Sequence, residues 1–369
     1  MSDLIKRYKT AEAVYPHTYF AGANTAQGFV SAYPNFIREG ELDRLFIIKG
    51  GSGTGKSSVV RACASEAVRL GAEVTMLLCS SDPSSADAAV MRTPDGRSAA
   101  ILDGTAPHTL DPEFPGAAGE IVDVGRYWNG AQLRERRGEI TALAAQKHSA
   151  FARAYRFLGA YRQLSEVRRG MISACMDTEK AESAASRLAA SLPHDKLITE
   201  TAVYTCALSM TGAWRLDTFR RAAHSEIRVC DFYESGEIFL GMLRRAAAPR
   251  CSMLISPSPA WADMLSEIYI LSAGTAVTLS ENRTEDDGEH VRCVNMQRFV
   301  RRDALAQCRA KLRFIQRCRE EMFDGALAAL EDARSAHFAM EAIYREAMHF
   351  DGVAEETERL CREIGELFD

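Results

Sequence analysis

The sequence predicts an α/β protein in which a mostly parallel sheet occurs twice, each copy followed by a long helical arm. Three observations support this prediction. Short apolar, β-branched runs alternate with segments of helical periodicity. A glycine-rich stretch joins one of these runs to a helix, as in parallel α/β folds. Weak matches between the two halves of the chain keep their order at an offset of about 172 to 184 positions.

Length and composition limit the class of protein. The chain has 369 residues, of which 47% are hydrophobic and 26% charged, so disordered, collagen-like and disulfide-scaffold classes are excluded and more than one domain is expected. The net charge of −5 gives no overall attraction for nucleic acid, which is therefore not an expected partner. The ten cysteines contain no Cys-x-x-Cys pair and are predicted to be reduced core residues.

The sequence contains no signal for a membrane or for export. No uninterrupted apolar run reaches the roughly 18 residues of a membrane span, and the first residues lack the apolar core of a secretory signal. A cytoplasmic protein with no membrane partner is therefore expected.

Residues 50–57 match the phosphate-binding loop pattern G-x-x-x-x-G-K-[ST] at every position. The apolar run 45–49 precedes the motif as a buried strand, and helical periodicity follows it until Gly71. The sequence therefore predicts a P-loop NTPase domain. The predicted nucleotide-binding residues are Gly50, Gly51, Ser52, Gly53, Thr54, Gly55, Lys56, Ser57 and Ser58.

Each residue type in the motif has a chemical reason. Glycines allow positive φ angles and let successive backbone N–H groups approach a polyphosphate at the N-terminus of a helix. Lys56 is expected to reach the β- and γ-phosphates, and the Ser57 hydroxyl to bind Mg²⁺. The expected cofactors are therefore ATP and Mg²⁺.

A second acid is needed near the metal, and Asp103 is the candidate. Two strands are predicted after the helix, 73–79 and 98–103, and Asp103 ends the second after small or apolar residues. It is interpreted as a catalytic and metal-shell acid; the alternative is an aspartate that caps the following turn. Asp82 would lie at the same sheet edge, where it orients water or substrate or caps a short helix.

Other polar and aromatic residues near the motif have two interpretations each. No glutamate follows Asp103, so slow or absent hydrolysis is expected. His108 is either a γ-phosphate sensor or a satisfied loop histidine. The remaining polar candidates are Glu113 and Glu120 as bases and Arg126 as a phosphate contact. Phe20 or Phe29 is a candidate for a ring that stacks on adenine; the alternative is that this aromatic segment forms a packed strand or turn.

The repeat predicts two domains, residues 1–195 with an arm at about 130–192, and residues 196–369 with an arm at about 301–368. Aligning Gly28 with Gly212 places Glu237 opposite Lys56 and Ile238 opposite Ser57. A carboxylate repels phosphate and an isoleucine cannot bind Mg²⁺. The second copy is therefore predicted to be a degenerate P-loop-like domain without the phosphate-binding motif.

The second arm carries a basic stretch and an apolar seam. The basic residues Arg301, Arg302, Arg309, Lys311, Arg313, Arg317 and Arg319 are interpreted as a solvated face paired with Glu320 and Glu321, with an RNA or DNA surface as the alternative. The seam, with residues three and four apart, consists of Phe323, Ala326, Leu330, Ala333, His337 and Met340. It is expected to be core or an interface for self-association or a protein partner.

Four segments together resemble a bacterial group of tandem P-loop ATPase-like proteins known chiefly as uncharacterised. They are Phe20-x-Gly22-x-Asn24-Thr25-x-x-Gly28-Phe29 and the stretches 49–57, 79–83 and 103–108, and the resemblance is strongest over about residues 15 to 130. It implies two P-loop domains with ATP binding and no established substrate. The chain departs from this pattern in its second half, so ATP binding at two sites is not implied.

The sequence thus predicts a Mg²⁺-dependent ATP-binding protein, a slow ATPase or nucleotide switch with one working site and one pseudo-site. The enzyme alternative is a small-molecule or nucleotide kinase in which an acid such as Asp82 positions an acceptor hydroxyl. The non-enzyme alternative is an ATP-gated interaction module that docks a partner through the helical arms.

Overall fold

The computed structural model describes residues 7–11, 15–280 and 290–369 and has an α/β fold with two six-stranded, mostly parallel sheets. The elements of the first half are β1 (Lys9–Ala11), β2 (His17–Phe20), β3 (Gly22–Thr25), β4 (Gly28–Ser31), β5 (Arg44–Lys49), α1 (Lys56–Arg69), β6 (Glu73–Leu78), β7 (Ala86–Arg92), β8 (Ser98–Asp103), β9 (Gly119–Asp123), α2 (Gly130–Glu135), α3 (Arg137–Cys175) and α4 (Thr178–Ala190).

The second half repeats this succession of strands and helices. Its elements are β10 (Glu200–Ala202), β11 (Cys206–Ser209), β12 (Gly212–Leu216), α5 (Thr218–Ala222), β13 (Ser225–Cys230), α6 (Ser235–Ala247), β14 (Met253–Ser258), β15 (Trp261–Ile270), β16 (Thr275–Ser280), β17 (Val291–Asn295), α7 (Arg302–Glu346) and α8 (Phe350–Phe368). The helices of both arms fall within the predicted ranges, because their 3.6-residue periodicity is long and regular.

The two large sheets have the same strand order. The first sheet is β2-β6-β7-β8-β5-β9 and the second is β10-β14-β15-β16-β13-β17. In the first, β7 runs antiparallel to both neighbours and all other pairs are parallel; β15 does the same in the second. The central strands β5 and β8 are buried on both faces, which explains their continuous apolar runs.

Strand β7 is a difference from the predicted fold. Two strands were expected between α1 and the end of β8, and the structure has three. The missed strand is made largely of small residues and contains the buried Asp87, so its apolar pattern is weak. It also occupies the place of the short helix that Asp82 was expected to cap; the Asp82 carboxylate instead accepts hydrogen bonds from the backbone and hydroxyl of Ser84.

Two short hairpins lie beside the sheets, and their turns are built alike. Gly28 has φ +107° at the start of β4 and Gly212 has φ +115° at the start of β12, a backbone region that glycine adopts without strain. The hydroxyl of Thr25 donates to the Gly28 carbonyl at 2.8 Å, and the hydroxyl of Ser209 donates to the Gly212 carbonyl at 2.9 Å. The sequence alignment of these two glycines therefore coincides with two equivalent turns.

The two long helices α3 and α7 pair in antiparallel directions and carry their terminal helices across to the opposite sheet. Helix α4 packs on α6, which follows β13 of the second sheet, whereas α8 packs on α1, which follows β5 of the first. The core of the first sheet accordingly includes Leu360, Ile364 and Phe368, and the core of the second includes Ala181 and Leu188. Each core therefore draws residues from both sides of the 195/196 boundary, which stays a prediction from the sequence.

The crossing points of the helix pair repeat at a fixed spacing. The N–H of His349 donates to the carbonyl of Tyr127 at one end, and the N–H of Asp177 donates to the carbonyl of Phe299 at the other. The two acceptor residues, Tyr127 and Phe299, are 172 positions apart in the sequence. The two donor residues, Asp177 and His349, are also 172 positions apart. The bridges Trp128–Met348 and Met176–Val300 obey the same shift. The two ends of the pair are thus related by approximate two-fold symmetry.

None of the ten cysteines, all of which lie in the described residues, forms a disulfide; five are buried and five are half-buried, so the prediction of core residues holds for half of them. Within the part of the chain that the structure describes, no helix is both long enough and apolar enough to span a membrane.

Candidate functional site

The glycine-rich loop lies at the carboxyl edge of the first sheet, between the end of β5 and the start of α1. Strand β8 is the parallel neighbour of β5, and Ile48 is in register with Asp103, so Asp103 reaches the same edge. This edge is where open α/β sheets place their ligands. The fold therefore brings the loop and Asp103 together, although 46 residues of chain separate Lys56 and Asp103 in the numbering.

The loop adopts a conformation that depends on its glycines. Gly53 and Gly55 have φ angles of +73° and +86°, and a Cβ atom on Gly50 would lie 2.6 Å from Cγ2 of Val124. Within the described residues, the backbone N–H groups of Gly51 to Gly55 donate to no protein acceptor. They form a set of unsatisfied donors at a helix N-terminus, the arrangement that binds anions.

The charged and hydroxyl groups of the motif converge on the loop. The Lys56 ammonium donates to the carbonyls of Gly50 and Gly51 at 3.0 and 2.5 Å, and its Nζ lies 3.5 Å from Oδ2 of Asp103. Asp103 also accepts hydrogen bonds from the N–H and hydroxyl of Thr105, so it caps the turn and faces Lys56 at once. The two interpretations of Asp103 are therefore compatible.

The Ser57 hydroxyl oxygen accepts a hydrogen bond of 2.8 Å from the N–H of Ala86 in β7. This contact holds the side chain near the carboxyl edge and leaves its second lone pair free. The neighbouring Ser58 is exposed on the first turn of α1. Of the two serines, only Ser57 is held by a strand of the sheet.

The helix pair covers the loop from the opposite side. The Glu341 carbonyl of α7 would lie 2.6 Å from a Cβ on Gly53, and the rings of Trp128 and Tyr344 lie 3.3 Å from a Cβ on Gly51. The indole N–H of Trp128 is buried and has no acceptor among the described residues. The loop is therefore in direct contact with the end of α7, and an unsatisfied donor lies beside it.

Two further polar residues face the loop from the helix pair, Lys147 of α3 and His337 of α7. Their side chains meet at 3.4 Å between Nζ and Nδ1. Burial, together with the charges of Lys147 and Lys56, lowers the pKa of His337 to about 4, so this histidine is neutral at pH 7. Burial and the charge of Lys56 also lower the pKa of Lys147.

Sequence reasoning placed His337 only in the apolar seam and did not single out Lys147. The periodicity of a helix shows which residues share a face, but not which distant loop that face covers. The only available signal was a histidine among apolar seam residues, which is more often a packed residue than a ligand.

Several candidates from the sequence lie elsewhere. His108 is buried between Asp87, 3.3 Å from its Nε2, and Tyr33, on which it stacks, so it is a satisfied histidine and not a phosphate sensor. Glu120 forms ion pairs with Arg44 and Arg359 near the start of β5, away from the loop, and is not positioned as a base.

The aromatic residues before β5 do not form a base-stacking platform. Phe20 is fully buried, and its N–H donates to the Tyr204 carbonyl. The hairpin that contains Phe29 packs that ring edge-on against His108. The packed-strand interpretation is the one that the structure supports. Glu113 and Arg126 are exposed, and the structure gives them no contact with the loop.

In the second half, the loop between β13 and α6 carries its own carboxylates. The Asp231 side chain accepts hydrogen bonds from the N–H groups of Gly236 and Glu234 at 2.7 and 3.0 Å. These are the kind of helix N-terminal donors that are left unsatisfied in the first loop. Burial raises the pKa of Asp231 to about 6. A phosphate would have to displace this carboxylate.

Glu234 of the same loop is held by two buried arginines of the helix pair. Arg168 of α3 donates to it at 2.9 Å, and Arg319 of α7 donates to both of its carboxylate oxygens at 2.6 and 2.7 Å. Burial opposes ionisation, but the charges of Arg319 and Arg168 lower the pKa of Glu234. The cluster is therefore a buried ion network, and Arg319 does not belong to the solvated face where the sequence placed it.

The structure aligns the two loops differently from the sequence comparison, which placed Glu237 opposite Lys56. The buried apolar side chains of α6 begin with Ile238 and Phe239, which correspond in spacing to Val59 and Val60 of α1. This correspondence, like the two helix starts, places Ser235 in the position of Lys56, two residues before Glu237. The loop after β13 is thus two residues shorter than the first, and its acids Asp231 and Glu234 lie inside the loop itself.

The remaining arginines of the basic stretch are exposed, and among the described residues the predicted pairing with Glu320 and Glu321 is not present. The Glu320 carboxylate accepts from the amide of Gln316. Among the described residues, Arg309, Arg313 and Arg317 have no carboxylate partner.

Comparisons with protein families, with characterised proteins and with solved structures find no match to this chain. The resemblance to tandem P-loop ATPase-like proteins therefore stays a prediction from the sequence.

Proposed function

We propose that this protein binds a nucleoside triphosphate with Mg²⁺ at residues 50–58 and acts as a nucleotide switch with slow turnover. The observation that carries the proposal is the loop itself, in which unsatisfied N–H groups surround Lys56 and Lys56 faces Asp103 at 3.5 Å. A concave set of backbone donors with one cation suits a polyphosphate better than a neutral ligand.

Each residue has a defined part in this proposal. The N–H groups of Gly51 to Gly55 bind phosphate oxygens, and Lys56 exchanges its carbonyl contacts for the β- and γ-phosphates. Ser57 and Asp103 are the residues that would hold Mg²⁺, which when bound neutralises phosphate charge. No cluster of three or more potential metal-ligating side chains occurs among the described residues. A site that takes most of its ligands from phosphate and water suits Mg²⁺.

Slow turnover is supported by the surroundings of Asp103. Gly104 follows it, where an adjacent carboxylate would otherwise activate water, and Glu120 is bound to arginines at the other end of β9. The contact between Gly53 and the Glu341 carbonyl supports a switch, because a change in the conformation of the loop must alter how the end of α7 packs against it. The kinase alternative stays a prediction.

We also propose that the two halves arose by duplication and that the second is a pseudo-site. Identical strand order, equivalent glycine turns and the repeated crossing contacts of the helix pair support this. Asp231 and Glu234 supply internal anions where the first loop has open donors. One nucleotide per chain is the expected stoichiometry.

The proposal is tested by titrating ATP with Mg²⁺ into the wild type, Lys56→Ala and the matched control Lys311→Ala, whose side chain is exposed on α7. Loss of a hydrogen bond to a charged group costs about 1.5–3 kcal/mol, so Lys56→Ala is expected to bind roughly tenfold to a hundredfold more weakly. Lys311→Ala is expected to match the wild type. Equal affinity of the wild type and Lys56→Ala would contradict the proposal.

A turnover assay separates the alternatives. ADP release that rises only with a particular metabolite would favour a kinase. Nucleotide-dependent capture of a partner without turnover would favour an ATP-gated interaction module. Slow ADP release that is independent of added metabolites is the result expected for the proposed switch.

A further inference from the structure

We propose that Lys147, on helix α3, contacts the terminal phosphate of the nucleotide and makes the site prefer a triphosphate over a diphosphate. This inference rests on the proposed function and deepens it. Lys147 would be a phosphate-binding residue supplied by the helix pair, outside the sequence motif.

The geometry places Lys147 on the loop-facing side of the helix pair. Its Nζ lies 3.4 Å from Nδ1 of His337, and His337 is one helical turn before Glu341 on α7. The Glu341 carbonyl is the group in contact with Gly53. Two residues of α7, His337 and Glu341, therefore connect Lys147 to the glycine-rich loop.

Lys147 has no carboxylate partner among the described residues, although its neighbours on the helix pair do. Arg136 pairs with Glu346, Arg153 with Asp332, and Arg345 with Glu341. A half-buried ammonium without a counter-ion is costly. Among residues 7–11, 15–280 and 290–369, the Lys147 ammonium has a polar contact only with His337, and since an ammonium can only donate, Nδ1 of His337 must accept. His337 thereby orients the lysine without neutralising it.

The second half of the molecule shows what the equivalent cation does. The shift of 172 positions that relates the two ends of the helix pair takes Lys147 to Arg319 and Ser165 to His337. Arg319 donates to the Ser165 hydroxyl at 2.8 Å, as Lys147 meets His337. Arg319 also binds both carboxylate oxygens of Glu234, which lies in the second loop.

The comparison identifies the missing partner of Lys147 as an anion at the first loop. In the second half, a loop carboxylate and an arm cation form a buried ion pair, and the N–H groups of the loop donate to its own aspartate. In the first half, the loop has only glycines, serine and threonine, and the arm cation is left without an anion. A triphosphate held by the loop would supply that anion through its outermost group, the part furthest from the nucleoside.

The test compares ATP and ADP affinities, both with Mg²⁺, for the wild type, two variants without the charge (Lys147→Gln and Lys147→Met), Lys147→Arg, and the control Lys311→Gln. The wild type is expected to prefer ATP. Removing the charge should lower the ATP affinity roughly tenfold or more and leave the ADP affinity unchanged, because the lost contact is to a charged group. Lys147→Arg should restore most of the preference, and Lys311→Gln should keep all of it.

Unchanged ATP affinity in the charge-removing variants, with Lys56→Ala still impaired, would overturn this inference and leave the proposed function intact. An equal loss for ATP and ADP would also overturn it, since a merely structural lysine has that effect. Failure of the wild type to bind either nucleotide would instead refute the proposed function. Circular dichroism identifies which charge-removing variant folds, and Lys147→Arg provides the reciprocal test of restored preference.

Discussion

The backbone N–H groups at the starts of α1 and α6 differ in whether the protein itself provides an acceptor: those of Gly51 to Gly55 have none among the described residues, whereas Asp231 accepts from two in the second loop. In the second loop, the Asp231 carboxylate accepts two N–H groups, and Tyr233 and Glu234 adopt φ angles of +60° and +67° without being glycines. Such conformations cost about 1–3 kcal/mol each and persist only when the surroundings impose them. The ion pairs of Glu234 with Arg168 and Arg319 provide that restraint.

Replacing Glu237 with glutamine is expected to change how stability depends on pH. Burial and the charge of Glu234 raise the pKa of Glu237 to about 8. Glutamate in an unfolded chain ionises near about pH 4.3. Between these values the folded protein keeps a proton that the unfolded chain has lost, so stability falls as the pH rises. Glu237→Gln lacks this loss and should gain stability relative to the wild type from about pH 5 to pH 8.

Urea denaturation at several pH values measures this difference. The exposed Glu321→Gln is the matched control and should run parallel to the wild type. A constant difference between Glu237→Gln and the wild type over this range would show that Glu237 is ionised in the folded protein.

At the scale of single residues, the sequence predicted what lies within short stretches. Lys56, Ser57 and Asp103 lie where their spacing placed them, because a loop between a strand and a helix is defined locally. Lys147 and His337 could not be found in this way, since their relation to the loop depends on how distant helices pack. The two-residue difference in length between the two loops was also hidden, because a sequence alignment can place a gap anywhere in a weakly matching stretch.

At the scale of elements, the end of α7 contacts the glycine-rich loop, and Gly53→Ala tests that contact. An alanine at φ +73° is strained, and its Cβ would approach the Glu341 carbonyl to 2.6 Å. Gly96 is the matched control, since it has φ +97° but nothing within 4 Å. We expect Gly96→Ala to cost about 1–2 kcal/mol and Gly53→Ala a further 1–3 kcal/mol, together with weaker nucleotide binding.

Chemical denaturation of the two variants provides the measurement. An equal loss in the free energy of unfolding for Gly53→Ala and Gly96→Ala would mean that α7 does not contact the loop in solution.

The elements themselves were largely predictable. The long helices and the strands around the motif have regular apolar patterns, whereas β7 is composed of small residues and a buried acid. The hydrogen bond from the Ala86 N–H to Ser57 shows that the missed strand also positions a residue of the motif.

At the scale of the whole molecule, the terminal helices cross between the sheets, so the two halves should depend on each other for folding. Residues 1–195 alone lack α8, whose Leu360, Ile364 and Phe368 complete the core over α1. Residues 196–369 alone lack α4, which covers α6. We expect each fragment to fold poorly by itself and the two to form a one-to-one complex when expressed together.

Size-exclusion chromatography and thermal unfolding of the separate and co-expressed fragments test this expectation. A monomeric 1–195 fragment that unfolds cooperatively with the stability of the full chain would contradict it. Sequence periodicity could predict both arms, but it could not predict that α4 packs on α6 and α8 on α1. A periodic pattern identifies the apolar face of a helix without identifying the surface that this face covers.

The packing of α8 on the first sheet also determines when the core of that sheet can be completed during synthesis. The first sheet ends at Asp123, yet its core includes Phe368 of α8. At synthesis rates of about 5–20 residues per second, roughly 10–50 s pass between the emergence of these two residues. During that interval the part of α1 that α8 covers in the folded protein lacks that cover, although α1 can already pack on the strands of the first sheet. The glycine-rich loop at the start of α1 is therefore made well before α7 and α8, whose residues Glu341 and Val353 lie against it in the folded protein.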